Sequence, residues 1–304
     1  MSEKDTNFGL KGMAYTVPIL GRIQIGHIEE KNGKRLPAKD DYISITTQTK
    51  RNGAWVAHPI EKAVKGEGEC KLRAIPVRIM FDDTSLSLKE RYEAFKENRQ
   101  LCVGDGVSAK RRMPEGITDV DCPGSENCDF GVQNRCKPYG RALFQIEGQE
   151  DPFGAFIFRT RGTNSVRALR SRIEHLKSSL GRIAGLPMML VMKEKASMMS
   201  MGTPFYYLDL IFRKPGLAGV AEAIQARDEA EKTLQEVNFN REQYEKAVAE
   251  GISNSAFDET IEDAAEFEDL LLASPDVEGE GGGTGVLQSL ASFGNKSQEQ
   301  QQAA

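Results

Sequence analysis

The sequence predicts an α+β protein with a mixed or antiparallel sheet, one prominent helix, a cysteine-rich metal-stapled loop and an acidic helical C-terminal tail. Three observations predict it. Short segments of alternating apolar and polar residues recur through the first two thirds of the chain. One stretch from Asn164 to Gly181 carries apolar residues every three or four positions. Four of the five cysteines fall between positions 102 and 136.

Taken in order, Gly21 to Ile28 (GRIQIGHI) and Tyr42 to Thr49 (YISITTQT) alternate as half-buried strands do. The polar stretch between them, EEKNGKRLPAKDD, holds Asn-Gly and Pro and reads as the exposed connection of a β-hairpin. Ala74 to Phe81 reads as a buried strand whose Pro76 belongs at its start or at an edge, because proline cannot donate to a ladder. Ser87 with Glu90 forms a capping box, and Leu88, Tyr92 and Phe95 share one helical face, so a short helix is expected to about Asn98. The region 102–136 is rich in Gly, Pro, Asp and Asn and predicts little regular structure. Arg141 to Glu147 and Gly154 to Thr160 return to strand alternation. In the best helix Val166, Leu169, Ile173, Leu176 and Leu180 form the apolar stripe, and Gly181 can end it. Leu186 to Met192 and Phe205 to Phe212 supply two more strands.

From Gly216 the composition turns to Ala, Glu, Gln and Asp, and weak periodicity through Val220, Ile224, Leu234 and Val237 predicts a solvated helix. Ser255 with Asp258 can cap a second acidic helix carrying Phe257, Ile261, Ala264 and Leu271. The expected division is a flexible N-terminus at 1–14, a body at 15–215, an acidic helical appendage at 216–273 and a disordered Gly- and Gln-rich tail at 274–304.

The formal charge of -5 hides a contrast, because residues 1–215 carry 35 basic against 26 acidic residues, whereas 216–304 carry 5 against 19. A basic body beside an acidic tail points to contact with nucleic acid or with a nucleic-acid machine. The plainer reading is a solvated body with a solubilising tail. No apolar run reaches the roughly 18 residues that a membrane span needs. The polar start MSEKDTNFGLKG lacks the apolar core of a secretory signal. The expected location is the cytoplasm of a bacterial host cell, away from membranes.

Cys102, Cys122, Cys128 and Cys136 are spaced as C-x19-C-x5-C-x7-C. Cytoplasmic thiols rarely form structural disulfides, so such clustering indicates a metal. Thiolates are soft ligands, and zinc takes four of them in a closed tetrahedron, an iron–sulfur cluster being the alternative. Pro123-Gly124 lets the chain turn so that Cys122 and Cys128 can face one ion, and Cys102 would close the site beyond the loop holding Lys110, Arg111 and Arg112. Cys70 stands alone and reads as a free thiol, and His27, His58 and His175 lie far away in sequence.

Recognisable catalytic machinery is absent from the sequence. There is no G-x-x-x-x-G-K-[ST], no H-E-x-x-H and no G-x-S-x-G. Asp82-Asp83 reads as a turn, and VGDGV lacks the strand-to-helix context of a phosphate loop. The chain is therefore expected not to be an enzyme. Arg159, Arg161, Arg167, Arg170, Arg172, Lys177 and Arg182 lie on or beside the best helix. With Arg111 and Arg112 they are candidate contacts to phosphate or to a partner, against the plainer reading of a solvated helix face.

Several strings in order carry a resemblance: IPVRIMFDD at 75–83, CVGDG at 102–106, CPGSENC at 122–128, CKPYGR at 136–141, FIFRTRGTNSVRALRSRI at 156–173 and TPFYYLDL at 203–210. Together they resemble the phage and integrative-element recombination directionality factor family, partners of large serine integrases whose members often carry a "hydrolase or metal-binding protein" label. The likeness runs from about Tyr15 to Arg213. It implies a non-enzymatic protein that binds the integrase and switches it from integration to excision of a mobile element, meeting DNA through the integrase. The four cysteines match the family's cysteine-rich segment; the acidic tail matches nothing in it. The alternative is a nucleic-acid-binding accessory for replication or recombination, a single-strand binder or annealing protein, suggested by the basic body and acidic end. A metal-dependent hydrolase would need an open coordination position, which four thiolates do not leave.

Overall fold

Alternation of apolar residues builds one large mixed sheet, and its curvature encloses most of the core. The computed structural model describes residues 9–31, 34–66, 71–96, 99–196 and 204–257. In chain order these form β1 (Ile19–Lys31), β2 (Lys34–Arg51), β3 (Ala54–Ala57), α1 (Pro59–Lys65), β4 (Ala74–Ile79), α2 (Thr84–Ser87), β5 (Leu88–Lys96), β6 (Arg99–Gly104) and β7 (Ser108–Met113). There follow β8 (Gly116–Asp121), α3 (Asp129–Gln133), β9 (Lys137–Ile146), β10 (Ala155–Thr160), α4 (Thr163–Leu180), β11 (Pro187–Lys195), β12 (Phe205–Ile211), α5 (Gly216–Glu236) and α6 (Arg241–Ser253).

The strand order is β3-β2-β1-β10-β9-β5-β6-β7-β8, and the sheet forks at β9. Lys137 to Ala142 of β9 pair with β5, whereas Phe144 to Ile146 pair with β4, which carries β11 and then β12. β1 and β10 run parallel; β9 is antiparallel to each of its three neighbours. The β4–β11–β12 branch curls back toward β2, where Ile43 N–H donates to the Leu72 carbonyl just before β4 at 2.6 Å.

The α4 stripe behaves as its spacing predicts. Leu169, Ile173 and Leu176 are buried in one cluster with Phe144, Phe156, Phe158 and Leu190, and Gly181 ends the helix at φ 71°. Side chains alternate across a strand, so Ala155 points to the opposite sheet face from Phe156. There it joins Val17, Phe81 and Val248 in a second cluster beneath Tyr244 and Ile252 of α6. The helices after 216 thus pack on the body, α5 through Ala223 and α6 through Val248. The expected helix residues Ile261, Ala264 and Leu271, the expected flexible residues 1–8, Cys70 and the 274–304 tail lie outside the described residues.

Three expectations are corrected. The helix expected from Ser87 to Asn98 is a single turn, α2, capped by Asp83, followed by strand β5. Pairing with β9 on one side and β6 on the other outweighs the local capping signal. The expected long hairpin connection is mostly ladder, since Gly26 to Lys31 pair with Lys39 to Lys34. The cysteine region is not irregular either: it contains β6, β7, β8 and α3. Pro76 pairs with Met189 of β11 and on its other side only accepts, its carbonyl taking Glu147 N–H at 3.1 Å just past β9, so its missing N–H costs that side no ladder bond. Asp83 serves a turn, as expected, capping α2 through Ser85 N–H at 2.8 Å, whereas Asp82 bonds across the fold, its Oδ1 accepting the N–H groups of Ile183 at 2.6 Å and Ala184 at 3.2 Å.

Candidate metal centre

Strands β6, β7 and β8 form an antiparallel arm beyond β5, and the register of that arm sets the cysteine geometry. Residues paired across a ladder share a face. Cys102 on β6 therefore stands beside Ala94 of β5 and Arg111 of β7, and Gly104 beside Tyr92 and Ala109. The chain then returns along β8 to Cys122, whose N–H donates to the Val107 carbonyl at 3.0 Å. Cys128 caps the short helix α3, its Sγ accepting Gly131 N–H at 3.4 Å. Cys136 closes the turn into β9, with its N–H on the Gly131 carbonyl at 2.8 Å.

Four cysteines that are far apart in sequence so line one pocket, together with Tyr92, Arg111 and Phe130. All four are free thiols; Cys102 is buried and the others are half-buried. Two glycines make the room. A Cβ on Gly104 would lie 2.7 Å from Cys122 Sγ, and one on Gly131 would lie 3.2 Å from the Cβ atoms of both Cys128 and Cys136. Arg111 Nη2 approaches Cys128 Sγ at 3.6 Å while its guanidinium stacks over Phe130 at 4.1 Å. Burial pushes the Cys136 thiol up to about 12, the other three thiols adding to the effect. Burial also raises Cys102, with Arg111 acting against it.

The sequence expectation of a metal-stapled loop is met only in the convergence of its residues. As the side chains stand, no three His, Cys, Asp or Glu among the described residues are disposed to hold an ion. The histidines belong elsewhere: His27 Nδ1 lies 2.9 Å from Asp40 Oδ1, and His58 caps α1.

The cations picked out near α4 do not gather into one open face. Arg170 donates to the carbonyls of Leu88 and Thr84 and pairs with Glu90 at 3.2 Å and Glu174 at 3.0 Å, so it clamps α4 to α2 and β5. Arg172 pairs with Asp209 at 3.5 Å, Lys177 with Asp82 at 3.6 Å and Arg182 with Glu231 at 3.5 Å. Arg159 and Arg161 are half-buried at the end of β10, whereas Arg167 is exposed. Arg112 donates to the Gln100 carbonyl at 3.4 Å and lies 4.5 Å over the Phe257 ring.

Sequence reasoning missed a polar cluster on the other face of the arm's root. Glu93 is fully buried and takes both Nη atoms of Arg141, at 2.5 and 2.6 Å, and the Gln100 amide at 2.9 Å. No single-residue signal marks it. Only the correct strand assignment of β5 places Glu93 on the face that Arg141 shares.

No helix among the described residues is long and apolar enough to cross a membrane. Neither a curated protein nor a solved structure matches the chain. The Gp3-like family, described as recombination directionality factor-like, matches residues 20–213, a span from β1 through β12 that contains all four clustered cysteines, and the chain belongs to that family.

Proposed function

We propose that this protein is a recombination directionality factor that binds a large serine integrase and shifts it from integrating a mobile element to excising it. The observation that carries the reading is the family match over residues 20–213, which takes in the whole sheet and α4. The role is non-enzymatic: a partner that binds one integrase conformer better than another moves the balance between them by its difference in affinity. Contact with protein rather than phosphate is favoured by the commitment of Arg170, Arg172, Lys177 and Arg182 to ion pairs within the fold. The arm offers such a contact. Val107 and Ile117 are exposed on it, and β8 ends the strand order. On this reading the segment from Cys102 to Cys136 is architecture, stapled by metal, and performs no chemistry.

A reconstituted recombination assay tests the proposal. With the cognate integrase, added protein should permit recombination between the two sites flanking an integrated element and inhibit the reaction between the original pair. Unchanged direction defeats the reading. Salt-sensitive DNA binding without integrase would favour a nucleic-acid-binding accessory instead.

A further inference from the structure

We propose that the acidic segment following Phe257, residues 258–269, docks in cis on a basic band of the sheet face opposite α4 and covers that band in the free protein. Side chains alternate along a strand, and residues paired across a ladder share a face. The registers therefore line up cations. Arg22 of β1 stands beside Ile157 of β10, Arg159 two residues on stands beside Arg141 of β9, and Arg141 stands beside Lys89 of β5. Further along, Glu93 of β5 stands beside Val103 of β6, Val103 beside Lys110 of β7, and Arg112 lies two residues on. Phe156 and Phe158 take the alternate positions of β10 and are buried with α4, so the band faces away from that helix.

Aromatic rings set the orientation of the band's guanidinium groups. Arg22 lies 3.7 Å over Trp55, and Arg141 and Arg161 lie 5.9 and 5.7 Å from the Tyr139 ring. A guanidinium stacked by its face presents its N–H edge, the geometry that matches a carboxylate. Glu93, buried within the band, answers Arg141. Its neighbours Arg22, Arg159, Arg161 and Lys89 make a field of one sign, which draws acid toward it.

The occupant follows from where the chain goes. Helix α6 packs on Val17 and Ala155, and Ala155 shares the face of Ile157 and Arg159. Beyond α6, Phe257 is buried with Arg112 4.5 Å over its ring, so the chain enters the band at its β7 end. Seven of residues 258–269 are acidic and none is basic. Neighbouring strands lie about 4.8 Å apart, so the four spacings from β7 to β10 amount to about 19 Å. Twelve residues span about 18 Å even as a helix and about 40 Å when extended, enough to cross the band. A short tether also holds the segment at roughly millimolar effective concentration, so weak ion pairs suffice to seat it. A partner that uses this face must first displace the segment, which makes access to the face depend on the partner's own acidity and on salt.

Carbodiimide coupling of the full chain tests the docking, because it joins a carboxylate directly to a lysine amine that touches it. Peptide mapping of the monomeric product should find carboxylates of 258–269 joined to Lys89 or Lys137, two lysines on the band. Those links should be lost at about 1 M salt, where the Debye length falls to about 3 Å. Lys110 and Asp119, paired across the β7–β8 ladder, should still couple there and serve as the internal control. Replacing both Arg159→Glu and Arg161→Glu should also lose the tail links while the control link persists. Tail carboxylates coupled only to lysines away from the band, such as Lys71 and Lys214, overturn the proposal. So does a control link with no tail link, and so do tail links found only between two copies of the chain. The unaltered chain at low and high salt decides even if the double variant fails to fold. No integrase enters the assay, so this inference and the recombination reading fail separately.

Discussion

Glu93 sits at the root of the arm with 0% exposure, and Arg141, at 5%, reaches it with both terminal nitrogens. Burial of a charge is tolerated only when it is paired, and removing one member leaves the other stranded in a low-dielectric interior. Glu93→Ala is expected to destabilise the protein by about 3–5 kcal/mol, measured as a lower urea midpoint, since Arg141 then keeps its charge without its carboxylate. Joint replacement of Glu93 and Arg141 by apolar residues of similar volume should recover most of the loss. Equal destabilisation by the single and double variants would show that packing, rather than the pair, carries the effect. The same residue explains why the site was only half legible. A glutamate between Tyr92 and Ala94 reads as the solvated side of a helix, and nothing local says that Arg141, 48 positions away, lies opposite.

At the scale of elements, legibility followed how much of an element's reason lies within its own sequence. α4 was legible because its apolar stripe, its length and its terminating Gly181 are all local, and Leu169, Ile173 and Leu176 are buried as the stripe requires. β5 was not, because its identity comes from β9 and β6, which arrive from elsewhere in the chain. The cysteine cluster was legible as a set, whereas the arm that places Cys102 opposite Arg111 was not. One contact between elements is sharp enough to test. A Cβ on Gly140 of β9 would lie 2.6 Å from Val166 Cγ2, so the glycine is what lets α4 seat on the sheet. Valine is stiff at χ1 in a helix and cannot swing aside. Gly140→Ala is therefore expected to cost about 1–3 kcal/mol through overpacking, seen as a drop of several degrees in Tm. Adding Val166→Ala should restore most of that drop. If the second substitution makes matters worse, the seat of α4 is not set by this contact.

For the whole molecule the governing feature is the separation of charge along the chain. The described residues end at Phe257, which is buried and lies beneath Arg112 on the arm. Seven of the next twelve residues, 258–269, are acidic. A tethered segment acts on a nearby surface at high effective concentration. The chain leaves Phe257 beside Arg112 of the arm, and a carboxylate coming within a Debye length of such a cation, about 8 Å at physiological salt, would compete for it. A chain ending at Phe257 keeps every described element and moves the formal charge from -5 to +5. It should be retained on heparin to a higher salt concentration than the full chain, because fewer carboxylates compete for the same cations. The difference should shrink as salt rises, since screening removes the competition and the attraction together. Equal elution of the two chains at low salt would mean that the tail's charge never meets the body, and that the acidic end serves solubility alone.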